Sequence, residues 1–152
     1  MLFEVGVNTY MTVEEADSIM QDEFDSTEAE RVIWDALDDT GKKRVVLKGT
    51  RVINTLVWRG TRYPGFQSMP WPRLIQFNYV ECPYEVKLAI LKQSLKDKIN
   101  DEKQETKLQE LGVKSYSIKG ASITFNDSSK QVKLSNGIYD TIYTELLERW
   151  TA

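Results

Sequence analysis

The chain has 152 residues, 41% hydrophobic and 28% charged, with a formal net charge of −3. That is enough apolar material for one compact core, with no stretch long and apolar enough to cross a bilayer. Histidine is absent, which excludes Ser-His and Cys-His nucleophiles, imidazole metal ligands and the usual neutral-pH proton shuttle, and the single Cys82 excludes an internal disulfide.

The charge is unevenly spread. Residues 1–40 hold twelve acids and one base, Arg31, whereas residues 41–80 hold eight Lys or Arg and no acid. Flanks of opposite sign suit contact between copies of the chain, or a basic stretch aimed at phosphates. The opening MLFEVGVNTYMTVEEAD has no basic region and turns acidic at once, so it does not read as a secretion signal.

In chain order, Leu2 to Val7 alternates in part and reads as a short strand or extended arm. Thr12, with Glu15 three residues on, predicts an N-cap and a helix from Val13 to about Gln21. Thr27 with Glu30 repeats the pattern, and Ala29, Ile33, Trp34 and Leu37 form one apolar stripe to Asp38. From Thr40-Gly41 onward, Val45, Val46, Gly49, Val52, Ile53 and Leu56 share one face while Arg44, Lys48, Arg51 and Thr55 line the other. This predicts a helix to about Trp58. Arg59 to Val80, rich in Pro, Gly and aromatics, reads as a long ordered loop.

Pro83 suits the first position of a helix on which Tyr84, Leu88, Leu91, Leu95 and Ile99 share a face. The charged stretch 97–110 either extends that helix or frays. Val113 to Phe125 alternates around Lys119-Gly120, as in a β-hairpin or extended arm. Tyr139, Ile142, Tyr143, Leu146, Leu147 and Trp150 make an amphipathic C-terminal helix. The fold class is therefore mainly α. Residues 1–110 form a small helical bundle with a long Pro/Trp-rich loop, and residues 111–152 supply a β-arm and C-terminal helix for assembly contacts.

Several pieces occur in a familiar order: Val7-Asn8-Thr9-Tyr10-x-Thr12-x-Glu14-Glu15-Ala16, Trp58-x-Gly60, Gln67-x-x-Pro70-Trp71-Pro72-Arg73, then Pro83 before a helix. Together they resemble the head–tail connector (adaptor or head-completion) proteins of tailed bacteriophages, some relatives of which carry a DnaT-like single-stranded-DNA-binding label. The resemblance implies a structural neck protein in the virion, assembled in the host cytoplasm. It would form a homo-oligomeric ring, commonly of twelve subunits, under the portal protein and touch the next neck or tail-completion protein. Duplex DNA in the channel would be met without specificity, and the resemblance implies no cofactor, no enzymatic activity and no membrane.

On this reading Glu14, Glu15 and Asp17 of one copy face Arg44, Lys48, Arg51 and Arg73 of the next, and Tyr139, Ile142, Tyr143, Leu146 and Trp150 contact the portal or another partner. Trp58, Gly60, Trp71 and Pro72 are structural anchors, with Trp71 inward and Arg73 outward. Blander readings stand beside these: a solvated basic helix face, a tryptophan plugging the core, a C-terminal stripe packed on its own bundle. The alternative function is a single-stranded-DNA-binding module on the basic, aromatic stretch 41–80, with Trp58, Tyr63, Phe66 and Trp71 available for base stacking. The acidic cluster lacks the spacing of a calcium-binding loop and is explained by the preference of helix N-termini for Asp and Glu.

Overall fold

The computed structural model describes residues 1–63, 68–111, 133–134 and 136–152, with side chains described to residue 101 in the helix that ends at Leu111. The order is α1 (Val13–Glu23), α2 (Ala29–Ala36), α3 (Asp39–Ile53), β1 (Thr61–Arg62), β2 (Arg73–Ile75), β3 (Asn78–Val80), α4 (Tyr84–Leu111) and α5 (Asp140–Ile142). The last runs on through a π-helical turn (Tyr143–Leu147) and a 3₁₀ turn (Glu148–Trp150). The protein is mainly helical, with a small antiparallel sheet. The Val113–Phe125 hairpin expectation, Phe66 and Gln67 lie outside the described residues.

The first helix starts where Thr12 caps it: its Oγ1 accepts from Glu15 N at 3.1 Å. The second half of a capping box does not form, because the Glu15 carboxylate pairs with Lys87 on α4 at 2.5 Å. At α2 the expected Thr27–Glu30 box is absent. Glu28 is the cap residue and makes no side-chain cap bond. Trp34 instead fixes α2, burying its ring and donating from Nε1 to Asp17 Oδ1 on α1 at 2.8 Å. The third helix begins earlier than the sequence suggests, with Asp38 Oδ1 accepting from Gly41 N at 2.7 Å.

That helix also stops at Ile53, short of the expected Trp58. Thr55 Oγ1 donates to the Val52 carbonyl at 2.6 Å, a local side-chain bond that competes with another helical turn. Its two faces sort as read: Val45, Val46, Gly49 and Ile53 are buried, and Arg44, Lys48 and Arg51 are exposed. Gly49 lets α3 cross α4 closely, since a Cβ there would lie 2.2 Å from the Ile90 carbonyl oxygen.

Helix α4 is the hub. Val86, Leu88, Ala89, Ile90, Leu91, Gln93, Ser94 and Leu95 are all buried, so its first half is covered on nearly every side by α2, α3 and the C-terminal segment. Tyr84, expected on the core face, is exposed and donates to Glu23 Oε1 at 2.7 Å. The charged stretch after residue 97 continues as helix. Gln93 sets the return of the chain, accepting from Tyr139 N at 3.1 Å and donating to the Gly137 carbonyl at 3.0 Å. Ile138, Tyr139, Ile142 and Leu147 then join the same core.

The expected long loop 59–80 contains a sheet of order β1-β2-β3. The register pairs Thr61 with Leu74, Arg62 with Arg73, and Leu74 with Tyr79. Pro70 and Pro72 stand just before β2, where they cost the ladder no donor.

Candidate nucleic-acid interface

Arg73 was expected to point outward to a neighbouring subunit. It is buried, at 9% exposure, and its guanidinium is used up by backbone carbonyls: Nε to Arg59 at 2.7 Å, Nη2 to Gly60 at 2.9 Å and Nη1 to Pro70 at 3.1 Å. Burial first, then the nearby Arg62, lowers its pKa from the ordinary guanidinium value. A planar fork with several donors can satisfy carbonyls converging from two strands, which an ammonium cannot do as well. Arg73 therefore roots the sheet. It is not available as an inter-subunit contact.

Beneath the sheet lies a tryptophan cluster. Trp71 is 2% exposed and meets Trp58 edge-on at 5.4 Å and Trp150 edge-on at 6.0 Å. The indole N–H groups of all three are buried without a hydrogen-bond partner among the described residues. Trp58 and Trp71 are thus core residues and offer no face to a base. Gly60 has φ +73, and a Cβ there would sit 2.0 Å from the Leu74 carbonyl oxygen, so this position needs glycine for both reasons. Pro72 follows a cis peptide bond, and its carbonyl accepts from Tyr63 N at 3.2 Å.

The C-terminal stripe expected to meet a partner is turned inward. Tyr139 and Ile142 are fully buried, while Tyr143, Leu146 and Trp150 are half-buried against the core. The reason is that residues 150–152 lie along the 57–59 segment: Arg59 N donates to the Trp150 carbonyl at 2.9 Å, and Ala152 N to the Val57 carbonyl at 3.0 Å. The acidic residues assigned to a second copy also have partners within this one. Asp17 pairs with Lys42 at 2.9 Å and Glu15 with Lys87, leaving Glu14 exposed. Asp17 and Glu15 are thus engaged within one chain by Lys42 and Lys87, whereas the basic residues expected to face them, Arg44, Lys48 and Arg51, are not their partners.

Two constellations remain free to bind. Arg44, Lys48 and Arg51, at i, i+4 and i+7 of α3, are exposed and have no ion-pair partner among the described residues. They line one wall of a groove of about 810 Å³ between α3 and α4, with Asp38 at its α3 end and Asp97, Lys98 and Asp101 on the α4 wall. Asp97 is itself paired with Lys133 at 2.9 Å, so the α3 wall carries the three unopposed cations of the groove that would draw an anionic ligand.

The second constellation is aromatic. Alternation along the sheet places Tyr63 and Tyr79 on the face opposite Arg73, 43% and 52% exposed, edge-on to each other at 4.9 Å. At the tip of the β2–β3 hairpin, Phe77 is 100% exposed. The sequence reading had singled out Tyr63 but missed Phe77 and Tyr79, whose pattern of aromatic residues around a two-residue turn was the available signal. Among the described residues no group of three acids or cysteines is placed to hold a metal ion.

No curated protein matches the chain, and no solved structure matches it. The expectation of a phage head–tail connector is overturned by the family comparison, in which residues 3–151 match a different family's model, described as "Putative DnaT-like ssDNA binding protein". With nearly its whole length inside that model, the chain belongs to this DnaT-like family.

Proposed function

We propose that the chain binds single-stranded DNA, receiving bases on Tyr63 and Tyr79 of the outer sheet face and phosphates along Arg44, Lys48 and Arg51 of α3. The observation that carries this reading is the pair of exposed tyrosines on a sheet whose root is locked by a buried arginine. Phenol rings fixed on a strand offer a stacking surface that accepts any base, because every base has a π-face. These cations, without an ion-pair partner among the described residues, lie about 4.5–6 Å apart along one face of the helix and so can follow successive phosphates of a strand. Membership of the DnaT-like family supports the same ligand. In this reading the protein binds and performs no covalent chemistry.

Fluorescence anisotropy with labelled oligo(dT) across a salt series tests it. The expected result is binding whose logarithmic salt slope is about −2, as three neutralised phosphates on a single strand require. Undetectable binding at low salt, or affinity indifferent to salt, overturns the proposal.

A further inference from the structure

We propose that the β2–β3 hairpin presents Phe77 as a wedge, so that the preferred ligand is DNA in which a single strand meets a duplex. This rests on the single-strand reading above and adds to it. Three observations converge. Phe77 is wholly exposed, with none of the described residues shielding its ring. The two central turn residues, Gln76 and Phe77, have φ of 51° and 66°, a left-handed conformation that Asn or Gly adopts readily and a phenylalanine resists. The hairpin is also stiff at its root, where Arg73 on β2 is held by the carbonyls of Arg59, Gly60 and Pro70.

An apolar ring held out in water at the end of a short hairpin with a fixed root suits a partner with a flat apolar face. A continuous single strand is already served by Tyr63 and Tyr79. The last base pair of a duplex offers a large flat surface that is unstacked on its outer side. A phenyl ring can therefore cover it without first separating two stacked pairs, as a wedge inside a duplex must. Tyr79 lies two residues farther along β3, about 6–7 Å away. That distance suits the next, unpaired base leaving the junction. Phe77 then caps the final pair while the tyrosines take the first bases of the tail.

The test compares three probes by anisotropy: oligo(dT), a blunt duplex, and the same duplex carrying an oligo(dT) tail. Wild-type protein is expected to prefer the tailed duplex over oligo(dT) by about tenfold, the scale of one additional aromatic stack. Phe77→Asn, which relieves the left-handed turn and so keeps the fold, is expected to abolish that preference while holding oligo(dT) affinity within about twofold. Equal wild-type affinity for tailed duplex and oligo(dT) overturns the wedge but leaves the single-strand reading standing. Equal losses on both probes in Phe77→Asn make the residue one more stacking surface and also overturn it. A hairpin tip that docks a protein would show no Phe77 dependence with any DNA probe, which is a third overturning result. Wild-type protein that fails to bind oligo(dT) removes the underlying reading as well.

Discussion

Arg73 donates from Nε to the backbone carbonyl of Arg59 at 2.7 Å, and Arg59 donates from its own Nε to the carbonyl of Thr151 at 2.9 Å. Two arginines in series thus tie the central strand of the sheet to the C-terminal segment without a carboxylate between them. Replacing Arg73 by Met would take the donor from the carbonyls of Arg59, Gly60 and Pro70 at a partly buried site. With three part-buried bonds lost and water able to reach some of the carbonyls, the variant should lose about 1–3 kcal/mol of stability. Urea unfolding should show a lower midpoint at an unchanged slope. A midpoint equal to wild type would mean that the guanidinium does not hold the sheet.

Gly49→Ala inverts the usual helix expectation. An exposed helical Gly→Ala change stabilises by up to about 1 kcal/mol. Here the new Cβ would lie 2.2 Å from the Ile90 carbonyl oxygen, a backbone atom that cannot swing aside. The expected outcome is destabilisation of about 2 kcal/mol as α3 is pushed off α4. A thermal midpoint at or above that of wild type would contradict the close crossing.

The strained turn predicts the opposite sign. Phe77→Gly should stabilise the protein by about 1 kcal/mol, because glycine reaches φ 66° without a Cβ clash and the phenyl ring contributes no packing. Chemical denaturation measures this directly. A stabilising substitution that lowers junction affinity would indicate that the phenylalanine is kept for binding.

Stacking and phosphate contacts should separate in salt titrations. Tyr79→Ala is expected to weaken oligo(dT) binding by about 1–3 kcal/mol with little change in salt slope. The triple change Arg44→Gln, Lys48→Gln, Arg51→Gln should weaken binding and bring the slope from about −2 toward zero. If the tyrosine change alters the slope and the triple change does not, the roles assigned to the two surfaces are reversed.

Alkaline pH should unfold the chain. Partial desolvation of its hydroxyl and then the bond to Glu23 push Tyr84 up from 10.0 to about 12. Tyr10 is raised chiefly by burial, and Tyr139 by burial and then by Asp97, to which it donates at 2.7 Å. A raised tyrosine binds its proton more tightly when folded. Its contribution is therefore fully present below pH 10, and is lost as pH climbs through 12. Stability measured by urea midpoint should be level to pH 9 and fall above the ordinary tyrosine pKa of about 10. Tyr139→Phe should be about 1–2 kcal/mol less stable at neutral pH, having lost the bond to Asp97, with a shallower alkaline decline.

The parts of the fold that were legible share a physical origin. Thr12 capping α1 and the two faces of α3 depend on residues within four positions of one another, so periodicity and capping chemistry report them. The sheet was not legible because its strands run only two or three residues, too short for alternation to show, and Gln76-Phe77 lacks the Asn-Gly pattern of such a turn. A turn that breaks the local rule hides from rules built on local preference. The candidate site was half visible: the basic stripe and Tyr63 could be read, and the aromatic tip could not.

Arg73 and Asp17 show where sequence reasoning ran out. An arginine is ordinarily solvated, and an acidic flank ordinarily seeks a basic one. Yet Arg73 is buried because the chain doubles back to bring residues 58–60 beside 70–73. Asp17 and Glu15 meet Lys42 and Lys87, 25 and 72 residues away, rather than another copy. Residue order alone determined the two faces of α3, the Thr12 cap of α1 and the separation of charge along the chain, since each is set by near neighbours in sequence. Only the tertiary structure decided which charges are spent internally and which rings face water, because Coulomb pairing and burial follow distance in space and are indifferent to distance along the chain.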